Sequence, residues 1–214
     1  MKSICVLSGG MDSTTLLYHL LEKGDEVKCI SFDYGQRHKK ELEYASKTCK
    51  KLNVDHKIVD LSNINELIQG SALTSPDIEV PEGHYEDKSM KITVVPNRNM
   101  MMLSIAGAHA VSQKADRIAT AVHAGDHQIY CDCRPEFIDS FEGALQNGNY
   151  HKVDVYTPYL YWSKAQIAAE GLSLGIDYDE DTYSCYKGGE EPCGKCGTCV
   201  ERTWALEEAK NIKT

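Results

Sequence analysis

The sequence lacks long hydrophobic runs: no apolar stretch among its 214 residues approaches the ~20 residues that a membrane-spanning helix needs. It also lacks internal repeats and low-complexity tracts. Positive charge is in deficit, since 23 Lys and Arg face 32 Asp and Glu, for a net charge of -9. Nucleic-acid binding relies on dense Lys and Arg, so we expect no direct nucleic-acid partner and no membrane partner. The remaining composition is that of a soluble globular protein.

We also expect no secretory leader, because nothing in Met1-Lys2-Ser3, which runs directly into the first strand-like segment, resembles a signal peptide. The nine cysteines are an odd number, which does not suit a framework of paired disulfides. Both features indicate a reducing compartment, and we expect the protein to be cytoplasmic. Cys5 and Cys29 fall in apolar segments, where a reduced thiol packs as a small hydrophobic group.

Four cysteines lie close together near the C-terminus, at Cys185, Cys193, Cys196 and Cys199. Glycines between the last three allow the tight turns that bring thiolates to one metal ion. Four thiolates fill a tetrahedral coordination sphere and leave no position for water, which predicts one structural zinc ion per chain. An iron–sulfur cluster is the alternative, but no fourth cysteine and proline follow the Cys-x-x-Cys-x-x-Cys run.

A glycine-rich loop, Ser8-Gly9-Gly10-Met11-Asp12-Ser13-Thr14, separates a predicted strand at 3–7 from a predicted helix at 15–23. Backbone N–H groups of such a loop and the positive end of the helix bind phosphate. The loop has no Gly-Lys-Ser/Thr and no Gly-x-Gly-x-x-Gly. It resembles instead the Ser-Gly-Gly-x-Asp-Ser signature of N-type ATP pyrophosphatases, which split ATP into AMP and pyrophosphate.

Strand-like and helix-like segments alternate along the rest of the chain. Strands are predicted at 27–32, 56–61 and 116–122, and helices at 39–52, 100–111, 163–174 and 200–211. The alternation predicts an α/β fold with a doubly wound parallel sheet, which the resemblance implies is of the HUP, or adenine nucleotide alpha hydrolase-like, type. We expect residues 1–180 to form the ATP pyrophosphatase-like domain and 181–214 a small zinc-binding helical appendage.

Polar clusters follow these strands, where a parallel sheet places its ligand site. Phe32-Asp33-Tyr34-Gly35-Gln36-Arg37-His38 follows the second strand, and Val95-Pro96-Asn97-Arg98-Asn99 follows a segment at 91–95 that we treat as another strand. Asn97 or Asn99 could cap the next helix. A dense set of His, Asp and Arg side chains spans 123–134, after the fourth strand.

Together the motifs resemble one family from Ser8 to about Arg202: the 7-cyano-7-deazaguanine synthases, which make a nitrile precursor of queuosine and archaeosine. The resemblance rests on the loop at 8–14, the 32–38 motif, Val95-Pro96-x-Arg98-Asn99, Asp132-Cys133-Arg134 and Cys185-Tyr186 with the three-cysteine knuckle. It implies an ATP-dependent carbon–nitrogen ligase that converts 7-carboxy-7-deazaguanine and ammonia to the nitrile, preQ0. It also implies Mg²⁺ accompanying ATP, and a homodimer.

The resemblance implies roles for individual residues as well. ATP would be held by Ser8, Gly9, Gly10, Met11, Asp12, Ser13 and Thr14, together with Phe32 and Arg37. The implied catalytic residues are Asp12, Arg98, Asp132 and Arg134. The implied substrate-binding residues are Arg98, Asp126, Asp132 and Arg134. The two arginines could bind a phosphate or the substrate carboxylate. The carboxylate of Asp126 or Asp132 could accept hydrogen bonds from the guanine-like edge of the substrate.

The chain departs from the family pattern in three places. Met11 stands where Gln is usual, Asn97 stands where Gly is usual, and 123–131 replaces an acidic residue and an aromatic-Ser-Gly-Tyr-Pro run. We expect all three changes at the substrate pocket. They leave as an alternative a related adenylating enzyme that stops at 7-amido-7-deazaguanine or conjugates a different acceptor. The short, acidic chain disfavours a tRNA thiolase, and the knuckle lacks the interleaved aromatic and basic residues of a nucleic-acid-binding module.

Overall fold

Five parallel strands form one sheet in the computed structural model, which describes residues 1–37, 39–75, 77–83 and 88–212. The strands are β1 Lys2–Val6, β2 Glu26–Asp33, β3 Asp55–Asp60, β4 Arg117–Ala119 and β5 Asp154–Tyr156. Their order across the sheet is β3-β2-β1-β4-β5. The strand order therefore reverses between β1 and β4, where a crevice opens at the carboxyl ends. The prediction of a doubly wound parallel sheet is confirmed.

Helices cover both faces of this sheet. Those in the described ranges are α1 Met11–Glu22, α2 Lys40–Lys51, α3 Arg98–Gln113, α4 Pro135–Asn147, α5 Lys164–Ser173, α6 Tyr178–Asp181 and α7 Gly197–Ala209. Successive β1 side chains point to opposite faces: Ile4 packs with Leu103 of α3, and Cys5 packs with Leu17 of α1. Among the described helices, none is long and apolar enough to cross a membrane.

Several predicted elements differ from the observed ones. The segment at 91–95 is not a strand, because a 3-10 helix occupies Lys88–Thr93. β5 and α4 were not predicted. β5 has only three residues, too few to show a pattern, whereas α4 carries a start signal, Pro135 in its first turn, that we interpreted as part of a polar site. The helix predicted to begin at Ser163 starts with a capping box, in which Ser163 and Gln166 exchange side-chain to backbone hydrogen bonds.

The loop after β1 passes directly over the first turn of α2. Gly9 has a φ of +91°, and a Cβ atom placed on it would lie 1.9 Å from the carbonyl oxygen of Glu41. Neither the backbone angle nor the space admits a side chain. Gly10 differs, because it has a φ of -79°. Its added Cβ would lie 3.3 Å from the Ser8 hydroxyl, and its next contacts, with the Ser184 hydroxyl at 3.8 Å and the Tyr183 carbonyl oxygen at 3.9 Å, are ordinary van der Waals contacts. Gly9 therefore fixes the loop against α2, and Gly10 does not.

Gly9→Ala should consequently lower the free energy of unfolding by about 3 kcal/mol or more, through strained backbone and overpacking. Gly10→Ala is the matched control and should change it by less than about 1 kcal/mol. Urea unfolding followed by circular dichroism compares the two variants. Equal stabilities would show that the loop does not depend on its contact with α2.

Candidate active site and metal centre

An open cleft lies at the carboxyl ends of β1, β2 and β4. Its wall includes Ser8 and Gly10 after β1, Phe32 in β2, and Thr120 and Val122 after β4. This is the crevice at the reversal of strand order, where α/β sheets of this type bind ligands.

The glycine-rich loop forms one side of the cleft. The Ser8 N–H group donates to the Ser13 hydroxyl at 3.1 Å, and the Gly10 N–H group donates to the Ser8 hydroxyl at 3.2 Å. Gly10 offers no side-chain acceptor to the first turn of α1, so the N–H groups of that turn are available to an anion. Of the predicted ATP-binding residues in this loop, those that line the cleft are Ser8, Gly10, Met11, Asp12 and Ser13.

The other two loop residues lie behind the cleft wall. Gly9 packs on α2, and its carbonyl oxygen accepts a hydrogen bond from the Tyr183 N–H group at 3.0 Å. Thr14 is fully buried. Phe32 and Arg37, also predicted for ATP, both line the cleft. The Arg37 guanidinium donates to the carbonyl oxygen of Ile78 at 2.9 Å; His38 lies outside the described residues.

A buried lysine that the sequence did not reveal stands beside the loop. The Lys164 Nζ atom lies 3.2 Å from Asp12 Oδ2 and 2.8 Å from Glu201 Oε2, and it lines the cleft. Burial disfavours the charged ammonium, but the two carboxylates outweigh this and raise its pKa. Burial likewise opposes the charge of Asp12, yet Lys164 and His123 lower the pKa of that carboxyl. A lysine in the first turn of a helix gives no sequence signal of burial.

His123 links Asp12 to the segment after β4. It is 1% exposed, and its Nδ1 atom accepts the Gly125 N–H group at 3.1 Å. Its Nε2 atom lies 3.7 Å from Asp12 Oδ2 and 3.5 Å from Asp126 Oδ2. Asp126 lines the cleft, as predicted for a substrate ligand.

Arg98 reaches the cleft from the start of α3, among aromatic side chains. Its guanidinium carbon lies 5.6 Å from the centroid of the Tyr130 ring, and Tyr34 and Tyr186 line the same region. Within the described ranges Arg98 forms no ion pair with a carboxylate. A guanidinium that lines a cleft among aromatic rings and forms no ion pair is suited to bind an anionic ligand through two parallel hydrogen bonds.

Asp132 and Arg134, predicted beside Arg98 in the site, are not among the residues that line the cleft. The Asp132 carboxylate accepts the Asn99 N–H group at 3.0 Å and thereby caps α3. Arg134 donates through Nε to the His127 carbonyl oxygen at 2.7 Å. Neither predicted asparagine cap forms: Asn97 makes no side-chain capping bond, and the Asn99 amide donates to the Asp132 carbonyl oxygen at 2.9 Å.

The three departures from the family pattern do not all fall at the pocket. Asn97 does not line the cleft and has a φ of 56°, a conformation that Gly and Asn adopt more readily than other residues; the expectation that it alters the pocket is wrong. Met11 lines the cleft although only 1% of it is exposed. The 123–131 segment also reaches the cleft, through Asp126 and Tyr130.

The four clustered cysteines converge as predicted. The sulfur atoms of Cys185, Cys193, Cys196 and Cys199 all lie within 4.8 Å of one another, and those of Cys193 and Cys199 are 3.9 Å apart. A tetrahedral site with metal–sulfur bonds of about 2.3 Å has sulfur–sulfur edges of about 3.8 Å. Burial opposes the thiolate of Cys185, but backbone N–H groups such as that of Cys193 outweigh this and lower its pKa. The cluster can hold a metal ion.

The same knuckle contributes a wall of the cleft. Ser184, Tyr186 and Thr198 line the cleft beside the cysteines. The Thr198 hydroxyl donates to the Ser184 carbonyl oxygen at 2.6 Å, which ties the start of α7 to the segment that carries Cys185. The cysteine segment therefore contributes side chains to the cleft.

Solved structures share this fold at low sequence identity. The U34-tRNA thiolase NcsA from Methanococcus maripaludis with its [4Fe-4S] cluster has a TM-score of 0.55 and 16% identity, covering 99% of this chain and 66% of the other. A 4-thiouridine synthetase in complex with RNA and bound ATP has a TM-score of 0.55 and 17% identity, covering 98% and 50%. These similarities concern the fold alone.

Curated relatives are much more similar in sequence. A 7-cyano-7-deazaguanine synthase from Alteromonas mediterranea is 55% identical over 205 residues, covering 96% of this chain and 93% of the relative. One from Methanoregula boonei is 53% identical over 209 residues, covering 98% and 95%. The family model for the queuosine biosynthesis protein QueC matches residues 2–210. The chain belongs to the QueC family.

Proposed function

We propose that this chain converts 7-carboxy-7-deazaguanine and ammonia to 7-cyano-7-deazaguanine at the expense of ATP. The observation that carries the proposal is the match over nearly the whole chain to relatives with that name. The cleft supports it, because a phosphate-binding loop, a buried lysine and a guanidinium without a carboxylate partner face one space. A cytoplasmic location, a homodimer and the absence of a direct nucleic-acid partner stay predictions.

The first half of the reaction needs an activated carboxylate. A carboxylate is a poor electrophile, so its oxygen must attack the α-phosphorus of ATP, and pyrophosphate must leave. The growing negative charge would be stabilised by the N–H groups at the start of α1 and by the Lys164 ammonium. Mg²⁺, arriving with ATP, would neutralise charge on the phosphates. Ammonia then displaces AMP and leaves an amide.

The second half repeats the activation on the amide. The amide oxygen attacks a second ATP, and loss of AMP with the N–H protons leaves the carbon–nitrogen triple bond. Arg98 is our candidate for the substrate carboxylate, and Asp126 for the guanine-like edge, since both line the cleft. Asp132 would act by positioning, because it caps the helix that carries Arg98.

The product of a complete reaction tests this function directly. Purified protein incubated with 7-carboxy-7-deazaguanine, ammonium, Mg²⁺ and ATP should yield the nitrile, detected by mass spectrometry, with two AMP formed per nitrile. No comparison favours the alternative in which the reaction stops at the amide. Accumulated amide without nitrile would nevertheless establish that alternative, and no turnover by folded protein would contradict the substrate assignment.

Arg98→Lys should separate carboxylate binding from ATP binding. A lysine keeps the positive charge but cannot form the bidentate hydrogen bonds of a guanidinium. The KM for 7-carboxy-7-deazaguanine should therefore rise about tenfold or more, while the KM for ATP changes little. Arg134→Lys is the matched control and should leave both constants within about twofold, because Arg134 contacts a backbone carbonyl outside the cleft. If instead Arg134→Lys raises the KM for 7-carboxy-7-deazaguanine and Arg98→Lys does not, Arg134 is the ligand of the substrate carboxylate.

We propose zinc as the ion of the four-cysteine site, because four thiolates in a closed tetrahedron suit a structural zinc. The sulfur positions fit this geometry, and the three most buried ligands, Cys185, Cys196 and Cys199, are at most 5% exposed. The ion would hold the start of α7 against the loop that carries Ser184, and so stabilise this wall of the cleft.

Cys196→Ser should therefore lose the metal and lower the free energy of unfolding by more than about 4 kcal/mol. Elemental analysis should find one zinc per wild-type chain. Cys131→Ser is the control, since Cys131 is an exposed cysteine outside the cluster, and it should retain both metal and stability. Iron and sulfide in stoichiometric amounts would identify the cluster as iron–sulfur and overturn the zinc assignment.

A further inference from the structure

One carboxylate of the cleft has no part in the proposed function so far. Glu41, in the first turn of α2, lines the cleft. Its backbone is fixed under the ATP loop by the close approach of Gly9. Among the described residues its carboxylate forms no hydrogen bond or ion pair. Its backbone position is thus fixed, and none of the described residues bonds to its carboxylate oxygen atoms.

The charges around Glu41 come from several elements. Arg98 of α3 and Lys164 of α5 favour its ionised form, and Asp12 of α1 opposes it. Tyr34, after β2, also faces this carboxylate, and burial raises the pKa of its phenol. Burial is the largest effect on Glu41 and raises its pKa to about 7. Near neutral pH the group can therefore accept a proton and release it again.

The other acceptors in the cleft are less suited to this task. Asp12 is paired with Lys164, and its pKa is lowered. The Asp126 carboxylate lies against His123. Burial raises the pKa of the Cys133 thiol, which keeps it protonated. Glu41 is thus the cleft-lining carboxylate best placed to take a proton.

Nitrile formation requires such an acceptor. We propose that Glu41 is the catalytic base that removes a proton from the substrate nitrogen, an inference that rests on the proposed function. The adenylated amide has a nitrogen with two N–H bonds and a positive charge. One proton passes to solvent in the open cleft and leaves a neutral imidate. Glu41 takes the second as the C–O bond to AMP breaks; the N–H bonding pair forms the third carbon–nitrogen bond, and the C–O pair departs on AMP.

The test starts from 7-amido-7-deazaguanine, Mg²⁺ and ATP, so that deprotonation of ammonium plays no part. Glu41→Gln keeps the shape of the side chain but cannot accept the proton. It should lower kcat for nitrile formation about 10²- to 10⁴-fold, the usual contribution of a general base. Amide-dependent exchange of labelled pyrophosphate into ATP, which reports the adenylation alone, should stay within about threefold of wild type.

The pH dependence provides a second readout. The base acts as the carboxylate, so wild-type kcat/KM for the amide should rise with pH and level off above about 7. Glu41→Gln should lack this rise of kcat/KM with pH. Glu43→Gln, an exposed position on the same turn of α2, is the matched control. It should keep both the wild-type kcat for nitrile formation and the rise of kcat/KM with pH.

Each other result has a definite meaning. If Glu41→Gln makes nitrile at the wild-type rate, or if the wild-type profile is flat around neutral pH, Glu41 is not the base. If the variant loses pyrophosphate exchange together with nitrile formation, Glu41 serves ATP or Mg²⁺ binding, and the proposal is overturned. If wild-type protein itself makes no nitrile from the amide, the proposed function fails, independently of Glu41.

Discussion

The close approach of Gly9 to its neighbours is the constraint on which the site depends. On one side its backbone packs against the first turn of α2, where an added Cβ would lie 1.9 Å from the Glu41 carbonyl oxygen. On the other side its carbonyl oxygen accepts the Tyr183 N–H group at 3.0 Å. A residue without a side chain thus brings the glycine-rich loop, α2 and the segment before the four clustered cysteines together. The spacing of these three parts sets the width of the cleft.

Charge is distributed unevenly around this cleft. Asp12, Lys164, Glu201 and His123 form a buried network behind the loop, in which each charge lies close to an opposite or polar partner. Arg98 and Glu41 form no such ion pair among the described residues, although the charge of Arg98 favours the ionised form of Glu41. The paired network is suited to hold the loop rigid, because breaking it would leave a buried charge unpaired. Arg98 and Glu41 are better suited to contact ligands.

The sequence predicted the parts of the site that are built from residues close together along the chain. The loop at 8–14 and the four cysteines are encoded by short spacings, and the structure places them as expected. Lys164 and Glu41 could not be found in this way, because only the packing of distant helices makes them part of the cleft. Asp132 and Arg134 show the opposite case, because a motif gives the order of residues but not the direction of their side chains. Asp132 caps the helix that carries Arg98, and Arg134 donates to the His127 carbonyl oxygen.

The wall of the cleft formed by the cysteine segment is synthesised later than the glycine-rich loop that it faces. The glycine-rich loop, Ser8 to Ser13, leaves the ribosome well before Ser184, Tyr186 and Thr198 on the facing wall. The sheet can be complete once β5 has emerged, before any of the four clustered cysteines is made. A nascent chain would therefore carry a folded but one-sided cleft until the cysteine segment has also emerged and folded.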